Sequence, residues 1–374
     1  MKAALLGSIH FWKDTCNFLQ KYSNVEPVAC IFPFKSLSGG GAPESSLDVV
    51  SVDEAICMYH EKKIDSIVVA NIRIPDYGLR LMMDIIRTLK ISGVNDIFLL
   101  LHYPYHVYYA VRLYKLDPEK AFLYYIETHL VDGCNLNCKS CGHLASLFSK
   151  DDICPIDEFR RDMRELSKKI DLAYLRLMGG EPFLLKNLDE YCDIAREYFP
   201  NAEIILVSNG LLIPQTSDKV LDSIVRNGII VDITQYPPTV NIKDKIVETL
   251  TNKKILYCLG RVVDTFMSGV KTVPTRSDTN KSRRACGSDV CHFLRHGKVY
   301  KCPGDALRYR YEELFPGVVP HVPYTMPADI YSTNFVEMLD LFVDRPIKMC
   351  EFCAEQAKLI PWSVQNNPTA EDWM

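Results

Sequence analysis

The chain has 374 residues, a formal net charge of −4, and 48% hydrophobic against 24% charged residues; this is the profile of a soluble globular protein long enough for two or three domains. The acidic balance and the lack of a basic run interleaved with aromatics exclude a broad nucleic-acid surface. MKAALLGSIHF is too short an apolar run for a secretory signal, and IFLLLHYPYHVYYAV is broken by His and Pro before it could span a membrane, so the expected location is cytoplasmic, with no nucleic-acid or membrane partner.

Residues 1–118 alternate strand-like and helix-like stretches. Ala3–Leu6 and Pro27–Phe34 read as strands around a helix at Trp12–Lys21. A Ser/Gly loop, Ser36–Ser46, leads to strand Val49–Val52, a helix from Asp53, strand Ser66–Val69, helix Tyr77–Ile91 and strand Asp96–Leu101. Strands alternating with helices of this length predict a parallel, doubly wound sheet of Rossmann-like type. Gly7-Ser8-Ile9-His10-Phe11 holds one glycine where dinucleotide binding needs three, and Gly39-Gly40-Gly41 reads as a plain loop. The ligand of this domain is open; partner docking suits it equally.

From residue 119 to 275 the alternation restarts with longer helices. Strand Ala121–Val131 leads into ETHLVDGCNLNCKSCGHLASL (Glu127–Leu147), where Cys134, Cys138 and Cys141 have Cys-x3-Cys-x2-Cys spacing. Such a loop can give one thiolate to each of three irons of a cubane and leave the fourth iron open for chemistry. A zinc site with His143 as fourth ligand, or inert buried thiols, would use the same residues. Helix Asp157–Ile170 carries Phe159, Met163, Leu166 and Ile170 at helical spacing. Strand Leu172–Met178 ends in Gly179-Gly180-Glu181-Pro182; two glycines allow close backbone approach, and the carboxylate can accept from an ammonium. A strand-ending turn with a solvated Glu is the plainer reading. Strand Glu203–Val207 ends in Ser208-Asn209-Gly210, Ile229–Thr234 precedes Gln235-Tyr236-Pro237-Pro238, and Lys254–Leu259 precedes Gly260-Arg261. Polar groups at the C-terminal ends of parallel strands predict a partial (β/α)6 TIM-like barrel, with a sixth strand that the sequence does not locate.

Fourteen cysteines without an export signal argue against disulfides. Cys286, Cys291, Cys302, Cys350 and Cys353 form a second set, within residues 276–355; residues 356–374 read as a C-terminal tail. In CHFLRHGKVYKCP, Gly297 turns a hairpin that returns Cys302. Cys350-Glu-Phe-Cys353 can hold two corners of a cluster, and four such thiolates suit zinc as well. Cys258, near the end of a barrel strand, is the lone thiol placed to face the barrel site as a hydrogen donor, although a buried core cysteine is the better reading.

The cysteine triplet with Gly179-Gly180-Glu181-Pro182 resembles the radical S-adenosylmethionine (radical SAM) enzymes, over residues 123–355. The resemblance implies a [4Fe-4S] cluster on Cys134, Cys138 and Cys141, and S-adenosylmethionine chelated at the open iron. Gly179, Gly180, Glu181 and Pro182 would contact its methionine group, and Ser208 and Asn209 its ribose. The family's aromatic residue before the third cysteine is Ser140 here, so adenine stacking would fall to His143 or Phe148. Cys286-x10-Gly297-x4-Cys302 followed by Cys350-x2-Cys353 resembles the twitch extension, half of the longer SPASM domain, and implies one auxiliary [4Fe-4S] cluster with Cys286 or Cys291 spare. The implied enzyme abstracts a hydrogen from a substrate carbon, oxidising or epimerising a carbohydrate or nucleotide sugar, with flavodoxin or ferredoxin as electron donor. A peptide-modifying radical enzyme and a zinc-stabilised binding protein are the alternatives.

Overall fold

The computed structural model describes residues 1–6, 15–17, 19, 23–31, 47–70, 78–104, 109–268, 276–286, 291–318, 326–341, 343, 345–356 and 358–373. They divide into two compact units, Met1–Tyr124 with Lys169–Ala173, and Tyr125–Lys168 with Tyr174–Met374. Among the described residues no helix is long and apolar enough to cross a membrane.

The first unit holds strands β1 (Lys2–Leu6), β2 (Glu26–Ile31), β3 (Asp48–Val50), β4 (Ser66–Ala70), β5 (Ile97–Pro104) and β6 (Tyr109–Lys115), with helices α1 (Val52–His60) and α2 (Gly78–Ile91). The sheet order is β3-β2-β1-β4-β5-β6. The first five strands are parallel, as expected. Every residue of β4 is buried, the pattern of a parallel strand covered on both faces. Helix α1 starts at a capping box: the Ser51 hydroxyl accepts the Glu54 N–H at 3.1 Å, and Glu54 accepts the Ser51 N–H at 2.7 Å. The strand missed in the sequence is β6, which pairs antiparallel with β5. The run 97–111 is apolar almost throughout, so its pattern does not mark where one strand stops and the next begins. The expected loops at Gly7–Phe11 and Gly39–Gly41 lie outside the described residues.

The second unit is built on β7 (Ala121–Val131, from Tyr125 on), α3 (Ile156–Lys169, to Lys168), β8 (Ile170–Gly179, from Tyr174 on), α4 (Leu188–Tyr198), β9 (Glu203–Ser208), α5 (Asp218–Arg226), β10 (Ile230–Gln235), α6 (Pro237–Asn241), α7 (Lys243–Asn252) and β11 (Tyr257–Val262). It continues through β12 (Thr265–Ser268), α8 (Thr279–Ala285), β13 (Phe293–Arg295), β14 (Lys298–Tyr300), α9 (Pro303–Leu314), β15 (Ala328–Asp329), α10 (Phe335–Asp340) and β16 (Lys358–Pro361). Its main sheet runs β11-β10-β9-β8-β7-β13-β14-β15, and β8 through β11 are parallel neighbours in chain order. Phe159, Met163 and Leu166 of α3 are buried at the predicted helical spacing.

Two expectations need correction. Strand β11 begins at Tyr257, three residues after the predicted start. Lys254 is left-handed (φ 57°), and its N–H bonds back to Thr251, so Lys253 and Lys254 close α7 instead of opening a strand. Beyond β11 the series does not continue among the described residues, because β12 leaves it and pairs antiparallel with β16; the sixth parallel strand of the sheet is β13, at its other end beside β7. The hairpin at Gly297 is present: His296 and Gly297 both take positive φ (48° and 68°), the geometry of a tight two-residue turn. Its first strand lies parallel to β7, with Phe293 opposite Glu127, so the hairpin extends the same sheet.

Candidate functional site

Strand β7 delivers the chain into the cysteine loop at its C-terminal end. Asn137, Ser140 and Leu144 are left-handed (φ 47°, 56° and 53°), and these reversals curl the loop tightly. The Cys134 and Cys138 thiols are largely buried, and burial pushes both up to about 12. N–H groups nevertheless point at both sulfurs: Asn209 Nδ2 lies 3.8 Å from Cys134, and Trp362 Nε1 lies 3.2 Å from Cys138. Donors aimed at sulfur fit thiolates that carry a cluster's charge. Among the described residues no three His, Cys, Asp or Glu side chains are spaced to hold a single metal ion. A cubane takes its thiolates at three separate irons, further apart than the ligands of one zinc. Three thiolates, two of them with N–H donors at the sulfur, are a donor set that suits such a cluster.

The glycines after β8 approach the cysteine loop itself. Gly180 N–H donates to Val131 O at 2.9 Å and Glu181 N–H to Gly133 O at 3.2 Å. A Cβ at Gly179 would overlap the Val131 carbonyl, one at Gly180 would overlap Gly133, and Gly179 has φ 147°. Glu181 is fully buried, not a solvated turn residue. Its carboxylate accepts Ser208 Oγ at 2.8 Å, Asn209 N–H at 2.9 Å and Phe183 N–H at 3.1 Å. Burial outweighs these donors and lifts the carboxyl to about 7. Asn209 in turn donates to Asn135 at 2.7 Å. Pro182 opens the short buried turn Pro182–Leu184. The structure thus joins the cysteine loop, Gly179–Pro182 and Ser208–Asn209 in one hydrogen-bonded assembly.

His143 turns toward β7, where its Nδ1 is 2.9 Å from His129 Nε2. His129 Nδ1 is 2.8 Å from Asp132, which also receives both Arg295 Nη groups at 2.8 Å. Burial pushes the Asp132 carboxyl up, but these partners outweigh it and hold it below the usual range. Phe148 packs near Tyr309, and the Arg295 and Arg310 guanidinium groups lie 5.9 and 5.8 Å from its ring centre. A cavity of about 420 Å³ opens here, lined by Asp132, Phe148, Cys154, Glu158, Arg295 and Tyr309 among others, and by none of the triplet cysteines.

The sequence reading missed a polar set strung across the strands. Tyr125 donates to Glu127 at 2.7 Å, Arg176 donates to Tyr125 at 3.3 Å, and Arg176 pairs with Asp232 at 2.5 Å. Cys258 stands opposite Asp232 in the register and feels both charges of that pair. It is the second residue of β11, so it lies near the start of that strand and not at the expected end. Burial raises its thiol. The available signal was charged or titratable residues inside three apolar strands: Glu127 and His129 in YYIETHLV, Arg176 in LAYLRLMGG and Asp232 in IIVDITQ.

Of the second cysteine set, Cys286 ends α8 and Cys302 caps α9. Cys350 and Cys353 lie on the turn Lys348–Phe352 and just after it. Ser282 of α8 donates to Cys353 O at 2.8 Å, and Ser277 N–H to Glu351 O at 2.7 Å, joining the Cys286 helix to this turn. Arg308 of α9 lies over Phe352, 5.4 Å from its ring centre. Backbone N–H groups reach two of these sulfurs: Asp305 to Cys302 and Ile347 to Cys350, each at 3.4 Å. Cys291 instead precedes β13 and lies within electrostatic reach of Tyr125.

An α/β unit with consecutive parallel strands, whose first strand of the series feeds a three-cysteine loop closed by Gly-Gly-Glu, defines the class. Residues 128–273 match the family model of the Radical SAM superfamily. Similar curated proteins include GTP 3',8-cyclase of Sulfurovum sp., 27% identical over 101 residues (26% of this chain, 31% of that one). GTP 3',8-cyclase of Helicobacter pylori is 31% identical over 93 residues (24% and 28%). The chain thus spans less than a third of the length of these relatives. Among solved structures, native anSMEcpe with bound AdoMet gives a TM-score of 0.40 at 12% identity, covering 63% of this chain and 89% of that one. BtrN in complex with AdoMet and 2-DOIA gives 0.36 at 19% identity, covering 60% and 89%.

Proposed function

We propose that the chain is a radical SAM enzyme that holds a [4Fe-4S] cluster on Cys134, Cys138 and Cys141 and abstracts a hydrogen atom from a substrate carbon. The observation that carries this reading is the single assembly of cysteine loop, Gly179–Glu181 and Ser208–Asn209, with N–H donors aimed at two of the three sulfurs. A cluster held by Cys134, Cys138 and Cys141 would supply the single electron for reductive cleavage of S-adenosylmethionine, the chemistry that starts hydrogen abstraction. The protein's own task is to hold the thiolates, present the backbone of Gly179–Glu181 and Asn209 to the cofactor, and keep water out. Glu181, bonded to three internal donors, shapes the pocket by fixing Asn209. His143, engaged with His129, is a support for the loop.

The substrate we propose is a hydroxyl-rich small molecule, a carbohydrate or nucleotide-linked sugar. Tyr125, Arg176 and Asp232 offer both donors and acceptors along the strands, which suits sugar hydroxyls. A second [4Fe-4S] cluster on Cys302, Cys350, Cys353 and Cys286 fits the N–H donors at Cys302 and Cys350 and the tie between α8 and the Cys350 turn. Cys291 is then the spare thiol. A one-electron carrier such as flavodoxin or ferredoxin would supply the reductant. The N-terminal sheet, with its order β3-β2-β1-β4-β5, supports a Rossmann-like reading. The test is deuterium transfer into 5′-deoxyadenosine from ring-deuterated nucleotide sugars, with peptides as the comparison set. Transfer from the sugars is expected; transfer from peptides alone would overturn the substrate class.

A further inference from the structure

Residues 358–373, part of the tail read from the sequence, are built into the cysteine loop. Strand β16 pairs with β12, and the chain then crosses the loop as a short antiparallel partner. Lys139 N–H donates to Ser363 O at 2.9 Å, Gln365 N–H donates to Asn137 O at 3.0 Å, and Val364 bridges Cys138. These bonds bracket Cys138 on both sides and hold the left-handed turn at Asn137. Further along, the Ser140 hydroxyl donates to the Asp372 carbonyl, Lys139 pairs with Asp372 at 3.2 Å, and Trp373 Nε1–H donates to Cys141 O at 3.0 Å. The aromatic rings absent from the loop at Ser140 are thus brought to it by the tail.

Trp362 differs from the other contacts because its donor meets a sulfur. Its Nε1 lies 3.2 Å from Cys138 Sγ, inside normal N–H···S range. The ring has little freedom: it stacks on Tyr236 with centres 5.9 Å apart and planes at 25°, and its backbone N–H donates to Asp264 O at 2.8 Å. Both rings lie in the unit that carries the cysteines.

We infer that Trp362 is a positioning residue that tunes the cluster on Cys134, Cys138 and Cys141, its indole N–H drawing charge from the Cys138 thiolate and raising the reduction potential of that centre. The inference rests on the proposed cluster assignment. Hydrogen bonds to cluster sulfurs stabilise the more negative, reduced state. A donor fixed by stacking and by the flanking strand does this without reorganising.

The experiment is anaerobic potentiometry on the full chain, followed on the paramagnetic signal that changes when S-adenosylmethionine is added. Trp362→Phe keeps a ring on Tyr236 and loses the N–H; a more negative midpoint at unchanged iron content is expected. Trp373→Phe loses an indole N–H that serves a carbonyl, and its midpoint should match the wild type. In wild-type protein carrying indole-nitrogen label, a magnetic coupling between that nitrogen and the reduced centre is expected, a readout that needs no variant. An unmoved midpoint in Trp362→Phe, an equal shift in Trp373→Phe, or no nitrogen coupling in a loaded protein overturns the inference alone. A chain that takes up no iron at the triplet overturns the cluster assignment and the inference together.

Discussion

The Glu181 carboxylate accepts the backbone N–H of Asn209 at 2.9 Å, and so fastens the end of β8 to the end of β9 directly beneath the cysteine loop. Asn209 passes the connection on to Asn135 and Cys134. Three segments distant in sequence, the cysteine loop, the Glu181 turn and Ser208–Asn209, are therefore registered by one buried acid.

Glu181→Gln keeps the shape but turns an N–H₂ toward one of the three donors now bonded to the carboxylate. Leaving one buried donor unpaired costs about 1–3 kcal/mol, read as a lower denaturation midpoint of the metal-free protein. The pH dependence also changes. Burial raises the folded-state value from 4.5 to about 7, so this group's contribution to stability is complete below 4.5 and is lost as pH rises through about 7. The Gln variant should lack that fall. Parallel stability curves for the two proteins across this window would contradict the burial argument.

Arg176 and Asp232 form a partly buried ion pair between β8 and β10. Arg176→Met and Asp232→Asn should each destabilise by about 1–3 kcal/mol, with the double variant costing less than their sum. Urea denaturation of the four proteins checks this. If the pair lines the substrate site, the Arg176 variant also loses product while uncoupled 5′-deoxyadenosine persists.

The legible part of the site was the part written in cysteine and glycine. Spacing picks out Cys134, Cys138 and Cys141 because one short loop must reach three irons. Gly179-Gly180 stood out because glycine pairs at strand ends permit close approach, although what they approach is the loop backbone at Val131 and Gly133. Parallel strands were legible from their apolar runs. Strand β6 was hidden inside one such run, and the start of β11 was displaced by the end of α7. Trp362 and Trp373 could not be read as part of the site: their partners Cys138 and Cys141 are more than two hundred residues away in sequence, and no local pattern encodes a contact of that range. Arg176 and Asp232 carried a signal, an ionisable residue inside an apolar strand, that only the sheet register turns into a pair.

Trp373 is buried against Tyr311 and Phe315 while its N–H holds Cys141 O. Trp373→Ala should cost about 3–5 kcal/mol, the usual loss for a buried large aromatic, seen as a clear drop in melting temperature. A change near zero would mean that the tail is not anchored there.

Cys350→Ala with Cys353→Ala should remove about half the iron of a protein with two cubanes while S-adenosylmethionine is still cleaved and substrate conversion is lost. Cys258→Ala is the matching test of redox-neutral epimerisation. Loss of product in that variant alone would make Cys258 the hydrogen donor and displace oxidation as the outcome.

The central claim is tested most directly by replacing Cys134, Cys138 and Cys141 together with Ala, reconstituting wild type and variant anaerobically, and measuring 5′-deoxyadenosine after adding S-adenosylmethionine and a reductant. The wild type should release it, and the triple variant should release none while losing the triplet's share of the iron. Equal release from both proteins would contradict the assignment.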